Sequence, residues 1–351
     1  MEVYQRVLTL RRSQNDRAGI AETLNNLGKV YTNLNENDKA DKALQEALLI
    51  RRELKDRKGE GETLQNIGWL NAVKEESNKA LELLEQALSI HREVKDRKGE
   101  AETLRRIGLV YSYGFDKDTK ALEFLKQALN IQEEIGDKYQ ASNTLFNTGK
   151  TYFFLKDYSS SLEFLEKAKL LSREADNPVI EVLALEQIAS VYFQQGNFKR
   201  AAEAGEEALV LARKNQFRNH ELDILNSLAR TYFLKKKPAR GRDLAQEAVN
   251  LARELKKRND EAQALNSLGS AYIELRDYQK AETASLQALS IAKEIENLNI
   301  ESSALSSLNR IYFQRGEFNK QIDNRLRILE IARKQKDKWD EFRALVDLGS
   351  A

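Results

Sequence analysis

The stretch LNNLGKVY at residues 24–31 places a large apolar residue, a second apolar residue, a small residue and an aromatic residue at spacings of three, one and three. Those spacings put all four side chains on one face of an α-helix. The pattern returns every 40 residues, with one extra residue near position 115. It therefore predicts a series of equivalent amphipathic helices, named the A helices. Their first large apolar position, the column leucine, is Leu24, Leu64, Leu104, Leu145, Leu185, Leu225, Leu265, Leu305 and Leu345.

A second helical face opens twelve or thirteen residues after the small position and predicts a B helix. In the first unit it consists of Ala40, Ala47 and Ile50, and later units repeat this arrangement. Small residues on two successive helices let their backbones approach closely, which favours an antiparallel pair. The chain is therefore predicted to hold eight A and B pairs with a half unit at each end. The units lie near residues 21–60, 61–100, 101–141, 142–181, 182–221, 222–261, 262–301 and 302–341.

The turn KDRKGE occurs at residues 55–60 and again at 95–100, between a B helix and the next A helix. An Asp or Asn lies eight residues before most of the column leucines, where its side chain can cap the free N–H groups of an A helix. Pro178 follows one of them, at the helical position that proline prefers. The repeated hexapeptide is therefore interpreted as a duplicated turn rather than a binding site. The predicted caps are Asp16, Asp56, Asp96, Asp137, Asn177, Asn297 and Asp337.

Composition describes a helix-rich chain without the residues of common chemical sites. Among 351 residues there are two prolines and 32% charged residues, and 57 Lys and Arg balance 55 Asp and Glu. This near neutrality gives no electrostatic reason to expect nucleic acid or a membrane surface as partner. The charged first residues form no signal sequence, and no apolar run is long enough to cross a membrane. We expect a cytoplasmic protein.

Side chains for catalysis and metal binding are scarce. The chain has no cysteine and two histidines, His91 and His220, and it contains no Gly-rich phosphate loop and no paired metal-ligand motif. Both histidines are interpreted as surface or groove residues. The sequence therefore predicts a protein that is not an enzyme and that has no metal site and no cofactor.

The pattern L-x-x-L-G-x-x-Y, followed by the two alanines of the B helix, resembles the tetratricopeptide repeat (TPR) family over essentially the whole chain. The 40-residue unit with its T-L-N-N-L-G and D-R-K-G-E segments is similar to the kinesin-light-chain-like branch and to arrays of bacterial, notably cyanobacterial, signalling proteins. The resemblance implies an all-α, right-handed superhelical solenoid whose A helices line a concave groove. In the related signalling proteins, such arrays often precede a CHAT-type protease, an NTPase or a kinase domain.

By comparison with that family, the groove should be lined by residues one and five positions after the column leucine, often with the eighth. Four large apolar residues at these positions form a candidate anchor, with asparagines to hold a peptide backbone and cations to favour acidic neighbours. The alternative is that the aromatic residues pack between units. The predicted peptide-binding residues are the anchors Trp69, Leu109, Phe146 and Phe153, the asparagines Asn26, Asn66 and Asn147, and the cations Lys29, Arg105 and Lys150.

The predicted function is that of a non-catalytic scaffold that binds a protein or peptide segment in the groove of a single solenoid, residues 1–351. We expect this stretch to be a fragment of a longer array, because both ends lie inside a unit. One alternative is a regulatory arm whose ligand belongs to the same larger signalling protein, and another is a purely structural spacer. The C-terminal A helix, with Leu345 and Leu348, is expected to support self-association.

The eighth unit departs from the pattern. Asn309, Gln321 and Ile328 occupy positions that are small in nearly all other units. Larger side chains at this contact predict a more widely separated or looser helix pair.

Overall fold

The computed structural model describes residues 1–115 and 117–349, except the Asp347 side chain, and all regular secondary structure in these residues is α-helical. The A helices are α2 (Arg17–Asn33), α4 (Arg57–Val73), α6 (Arg97–Phe115), α8 (Lys138–Phe154), α10 (Pro178–Gln194), α12 (Arg218–Leu234), α14 (Arg258–Glu274), α16 (Leu298–Arg315) and α18 (Lys338–Gly349). The B helices are α1 (Glu2–Ser13), α3 (Asn37–Glu53), α5 (Ser77–Glu93), α7 (Asp118–Glu134), α9 (Tyr158–Glu174), α11 (Phe198–Lys214), α13 (Pro238–Glu254), α15 (Tyr278–Glu294) and α17 (Phe318–Gln335).

The prediction of an all-α repeat of helix pairs is confirmed over these described ranges. Eight A and B pairs run from α2 to α17, with α1 and α18 as the half units. The pairs begin earlier than the sequence pattern suggested, because each A helix starts directly after its capping residue. Helix α4, for example, begins at Arg57, four residues before the predicted unit boundary at 61.

The capping prediction is confirmed at the repeated turn. The carboxylate oxygen Oδ1 of Asp56 accepts a hydrogen bond from the Gly59 N–H at 2.9 Å, and Asp96 accepts one from Gly99 at 3.2 Å. Each of these bonds satisfies one N–H group that has no partner inside the helix. Equivalent bonds are made by Asp16, Asp137, Asn177, Asn297 and Asp337.

The arginine of KDRKGE ties neighbouring helices together. Arg57 contacts Glu60 in its own helix at 2.6 Å and Glu93 of α5 at 2.5 Å. In the second copy, Arg97 makes the matching ion pairs with Glu100 and Glu134. These contacts agree with the interpretation of the hexapeptide as a structural turn.

The small residues of the A helices allow the helix pairs to pack closely. Gly68 of α4 faces Leu84 of α5, and a Cβ atom built on Gly68 would lie 2.9 Å from Leu84 Cγ. Leu84 is completely buried and packs in one cluster with Leu104 and Ile107 of α6. The core thus lies both within a helix pair and between that pair and the next A helix.

The chain divides into two compact units, unit 1 (Met1–Ala184) and unit 2 (Leu185–Ala351), and the boundary falls inside α10. Within unit 1, α2 contacts α4, α4 contacts α6 and α6 contacts α8. Within unit 2, α12 contacts α14 and α14 contacts α16. Successive A helices therefore form one surface in each unit, the A-helix surface. That the whole chain forms a single solenoid domain stays a prediction.

The interpretation of His91 as a surface or groove residue is wrong. Its side chain is completely buried in α5, and Nδ1 lies 3.1 Å from Asp96 Oδ2. It occupies the repeat position of Arg51, which is also buried and which donates a hydrogen bond to the Gly59 carbonyl. Sequence patterning missed this because the position falls at the end of the B helix, where the side chain turns inward beneath the next A helix.

Burial lowers the pKa of His91, although Asp96 and Glu62 act in the opposite direction. In the unfolded chain His91 binds a proton near the ordinary pKa, whereas in the folded chain it does so only at lower pH. The free energy of unfolding is therefore highest above the ordinary pKa and decreases as the pH falls below it. Between about pH 7.5 and about pH 5.5, the wild type should lose more free energy of unfolding than His91→Gln, which carries the residue found at Gln132. Urea unfolding at both pH values measures this, and equal losses in the two proteins would contradict it.

A wider separation of the helices in the eighth pair stays a prediction. Helices α16 and α17 pack less extensively than α2 with α3 or α14 with α15. Asn309 and Gln321 are both buried at this contact. In α18, Leu345 is exposed and Leu348 is half-buried. Self-association through this face stays a prediction.

Candidate functional site

The asparagines predicted to hold a peptide backbone differ in how much of their amide they present. Asn66 is 7% exposed, its Nδ2 donates a hydrogen bond to Asn25 Oδ1 at 2.9 Å, and its Oδ1 accepts one from Arg106 at 3.1 Å. Asn26 and Asn147 are half-buried. The Asn66 amide is therefore engaged within the chain, whereas the other two lie partly open to solvent.

A half-buried ion-pair network supports Trp69, the largest predicted anchor. Trp69 is half-buried on α4, and the Arg106 guanidinium lies 5.7 Å from its ring centroid. Arg105 and Arg106 both contact Glu102, at 2.7 and 2.8 Å. Burial alone would raise the pKa of Glu102, but the two arginines outweigh it and hold the pKa at about 2. The network keeps a cation against one face of the tryptophan ring.

The other three apolar anchors lie mainly within the helix packing. Leu109 is 8% exposed and offers little surface to a ligand. Phe146 packs beside the core cluster that contains Leu145 and Ala168. Phe153 is half-buried, and its ring centroid lies 5.9 Å from that of Tyr158. Trp69, Phe146 and Phe153 are thus half-buried alike, whereas Leu109 is buried, and their use as one anchor stays a prediction.

Sequence reasoning missed an exposed aromatic patch beside Lys150. Tyr113 and Phe154 are 52% and 46% exposed, and their rings meet edge to face at 6.0 Å. Lys150 Nζ lies 5.2 Å from the centroid of the Tyr113 ring. Both aromatic residues come nine positions after a column leucine, and that shared position was the available signal. Lys29, the remaining predicted cation, is exposed on α2.

Arg106 was also missed, although it connects Trp69 to the asparagines. The sequence shows it only as an interruption of the asparagine column. A sequence signal was present, because Glu102 lies four residues before Arg106 on the same helix, a spacing at which opposite charges meet.

Unit 2 contains a cavity of about 1060 Å³ on its A-helix surface. Its walls come from α12, α14, α16, α17 and α18, and include Arg230, Asn266, Asn309 and Arg310. The Arg230 guanidinium lies 4.7 Å from the centroid of the Phe193 ring. Polar side chains dominate the wall that α16 provides, through Asn299, Ser302, Ser303, Ser306, Ser307, Asn309 and Arg310.

Several buried amide atoms on the A helices have no hydrogen-bond partner among the described residues. Gln65 Nε2 is such an atom in unit 1, and Asn226 Oδ1 and Asn266 Oδ1 are such atoms in unit 2. All three residues follow a column leucine directly. One such atom therefore lies on the A-helix surface of unit 1, and two lie on that of unit 2.

Two titratable groups meet on the A-helix surface of unit 2. His220 Nδ1 lies 3.4 Å from Glu186 Oε1. The hydrogen bond that His220 donates to Glu186 raises the pKa of His220, and burial raises the pKa of Glu186.

The described residues contain neither a metal-binding cluster nor a membrane-spanning helix. In residues 1–115 and 117–349, no group of three or more His, Cys, Asp or Glu side chains is arranged to hold a metal ion. Within these ranges, no helix combines the length and the apolar character that crossing a membrane requires.

A family model for the tetratricopeptide repeat matches residues 19–93, 74–134, 99–169, 180–254 and 221–294, which together exceed half of the chain. The chain belongs to the tetratricopeptide repeat family. The matches include both sides of the α10 boundary and the segments that carry Trp69 and Arg230. No curated protein sequence matches the chain.

Solved tetratricopeptide repeat structures share the fold. A signal transduction ATPase with numerous domains (STAND) from Pyrococcus horikoshii, which has a tetratricopeptide repeat sensor, is 18% identical with a TM-score of 0.74. That alignment covers 99% of this chain and 54% of the other, so this chain spans about half the length of the STAND protein.

Two further structures align along nearly their whole length. The apo form of RapI is 12% identical with a TM-score of 0.68, covering 94% of this chain and 97% of the other. The apo form of the quorum sensor NprR from B. thuringiensis is 17% identical with a TM-score of 0.62, with coverage of 94% and 97%. At these identities the similarity establishes the shared helical repeat fold.

Proposed function

We propose that this tetratricopeptide repeat chain is a non-catalytic module that binds a peptide segment of a protein partner on its A-helix surface. The repeat fold is in general a protein-interaction scaffold. The observation that carries the proposal is that buried amide atoms without partners occupy the same repeat position in both units, at Gln65 in unit 1 and at Asn226 and Asn266 in unit 2. A peptide backbone supplies both N–H donors and carbonyl acceptors, and so it can satisfy amide groups of either kind.

The energetic reason lies in the cost of an unsatisfied buried polar group. Such a group costs about 1–3 kcal/mol relative to a hydrogen-bonded one, and native proteins contain few of them. The recurrence of such atoms at one repeat position of the A helices favours a ligand as the explanation. In unit 2, an extended segment running along the A helices would meet Asn226 and Asn266 in successive repeats.

In unit 1, Trp69 is the proposed anchor, with the Arg106 guanidinium fixing one face of its ring. Asn26, Asn147, Lys29 and Lys150 are proposed to contact the peptide around it, and Arg105 to add positive charge. Asn66, Leu109, Phe146 and Phe153 are proposed to act as supports, because their side chains are engaged or packed within the chain.

A second candidate function is that of a regulatory arm within a larger signalling protein. The specific observation is that the chain aligns over 99% of its length with part of a STAND protein that has a tetratricopeptide repeat sensor. In that case the ligand would be another domain of the same protein. The full-length gene tests this, since an adjoining catalytic domain is required.

Trp69→Ala should weaken the binding of a peptide ligand by about 2 kcal/mol, roughly thirtyfold, because a buried aromatic anchor is lost. The probes are peptides selected from a random library on the wild-type chain. Their affinities for each variant are measured by fluorescence anisotropy.

Trp339→Ala is the matched control, because Trp339 is the other tryptophan and is 66% exposed on α18. It should bind the selected peptides as the wild type does. Equal affinity of the wild type and Trp69→Ala for every selected peptide would move the site away from unit 1. A library that yields no binding peptide at all would contradict the proposed function.

A further inference from the structure

The lining of the cavity in unit 2 contains more arginines than carboxylates. Among the described residues, its walls contain the arginines Arg230, Arg310, Arg325 and Arg343 and the single acidic residue Asp340. Arg343 lies 3.8 Å from Asp340, and Arg310 contacts Glu274 at 2.6 Å. For Arg230, the described part of the chain offers no carboxylate partner within 4.0 Å. Its guanidinium is held over the Phe193 ring and remains exposed.

The remaining polar groups of the wall present acceptors. The hydroxyls of Ser303 and Ser306 donate their hydrogen to the carbonyls of Asn299 and Ser302, each at 2.9 Å. Their oxygen lone pairs are left for a ligand. Asn266 Nδ2 donates a hydrogen bond to the Ile300 carbonyl at 3.3 Å. The buried Asn266 Oδ1 accepts no hydrogen bond from the described residues. The wall therefore suits a ligand with N–H groups, and the arginines suit carboxylates.

The sequence of the eighth unit explains why the cavity forms at this place. Asn309, Gln321 and Ile328 line it, at positions where other units carry small residues. Larger side chains at this contact are expected to keep α16 and α17 from packing closely, which favours a cavity beside them. At about 1060 Å³ the cavity is at the upper end of small-molecule sites and has room for a short peptide.

We infer that this cavity binds an acidic peptide segment, with carboxylate side chains on Arg230 and Arg310 and a backbone N–H on Asn266 Oδ1. The inference rests on the proposed function, because it names the ligand chemistry of a second part of the same A-helix surface. An arginine fork binds a carboxylate by paired hydrogen bonds, and such charge-assisted bonds are about twice as strong as neutral ones. A nucleic acid would also supply anionic oxygens, but the near-neutral charge of the chain, with 57 Lys and Arg against 55 Asp and Glu, favours the peptide.

The test uses a fluorescein-labelled oligoglutamate peptide and the full chain, with binding followed by anisotropy. The wild type should bind oligoglutamate at least about tenfold more tightly than an oligoglutamine peptide of equal length. The double variant Arg230→Gln/Arg310→Gln should lose about tenfold or more in affinity for oligoglutamate. The double variant Arg230→Lys/Arg310→Lys should recover part of the loss, since it retains the charge but not the fork.

Arg200→Gln is the matched control, because Arg200 lies on α11, outside the cavity lining. Like Arg230, it holds its guanidinium near an aromatic ring, 5.4 Å from the Tyr192 centroid. It should bind as the wild type does, and circular dichroism checks that every variant keeps its helices. Equal binding of oligoglutamate and oligoglutamine would overturn the inference, and so would tighter binding of a single-stranded DNA of equal charge. If library peptides bind while oligoglutamate does not, the inference fails and the proposed function stands.

Discussion

Leu84→Ala should lower the free energy of unfolding of unit 1 by about 2–5 kcal/mol, because deletion of a fully buried leucine leaves a cavity. Leu84 lies against Gly68 of α4 and packs in one cluster with Leu104 and Ile107 of α6. One side chain thus contributes to a helix pair and to the contact with the next A helix. In a repeat array both contacts are needed, since each repeat is stabilised by its neighbours.

Trp69 fluorescence in a Trp339→Phe background reports on unit 1 during urea unfolding, because the chain has two tryptophans. Leu49→Ala is the matched control, since Leu49 is exposed on α3, and it should change stability by less than about 0.5 kcal/mol. A loss in Leu84→Ala no larger than in Leu49→Ala would mean that the helix pair tightens around the missing side chain.

Glu102→Gln should destabilise unit 1 by about 3 kcal/mol at neutral pH, because it leaves Arg105 and Arg106 without their shared counter-ion. The carboxylate pKa of about 2 is far below its ordinary value. A depressed pKa stabilises the folded chain above the unfolded pKa, and this stabilisation is lost as the pH falls through the acid range towards the folded pKa. The wild type should therefore lose stability on acidification more steeply than Glu102→Gln.

Urea unfolding at a series of pH values measures both effects. Glu82→Gln on α5 is the matched control, since the Glu82 side chain is exposed and should tolerate the same substitution. The substitution of Glu102 should also weaken peptide binding at Trp69, because Arg106 loses the carboxylate that holds it over the ring. Parallel acid profiles for the wild type and Glu102→Gln would show that the ion-pair network does not stabilise the fold.

The helical repeat could be predicted from the sequence because its signals are local. The column leucines and the small residues at Ala40 and Ala47 define helix faces, and Asp56 defines a helix start. Spacing along one helix depends only on helical geometry, so it can be read without a structure. Caps are equally local, since the Asp56 side chain bonds to an N–H group only three residues away.

The candidate site could be predicted only in part. Placement of residues on the A helices was correct, but their exposure was not predictable, because Leu109 and Trp69 share one repeat position and differ in burial. The neighbours of that position belong to other helices. The role of Arg106, which joins Trp69 to Asn66, likewise depends on residues 37 and 40 positions away in the chain.

By itself, the sequence determined that this protein is a repeat of antiparallel helix pairs with capped A helices, since helix periodicity and capping operate within a few residues. Only the tertiary structure decided which polar groups remain without partners and where a cavity opens. The residues next to Gln65, Asn266 and Arg230 in the sequence do not indicate whether these side chains are hydrogen-bonded or ion-paired. Whether their polar atoms are satisfied depends on packing between repeats, where side chains that lie far apart along the chain compete for the same space and the same hydrogen bonds.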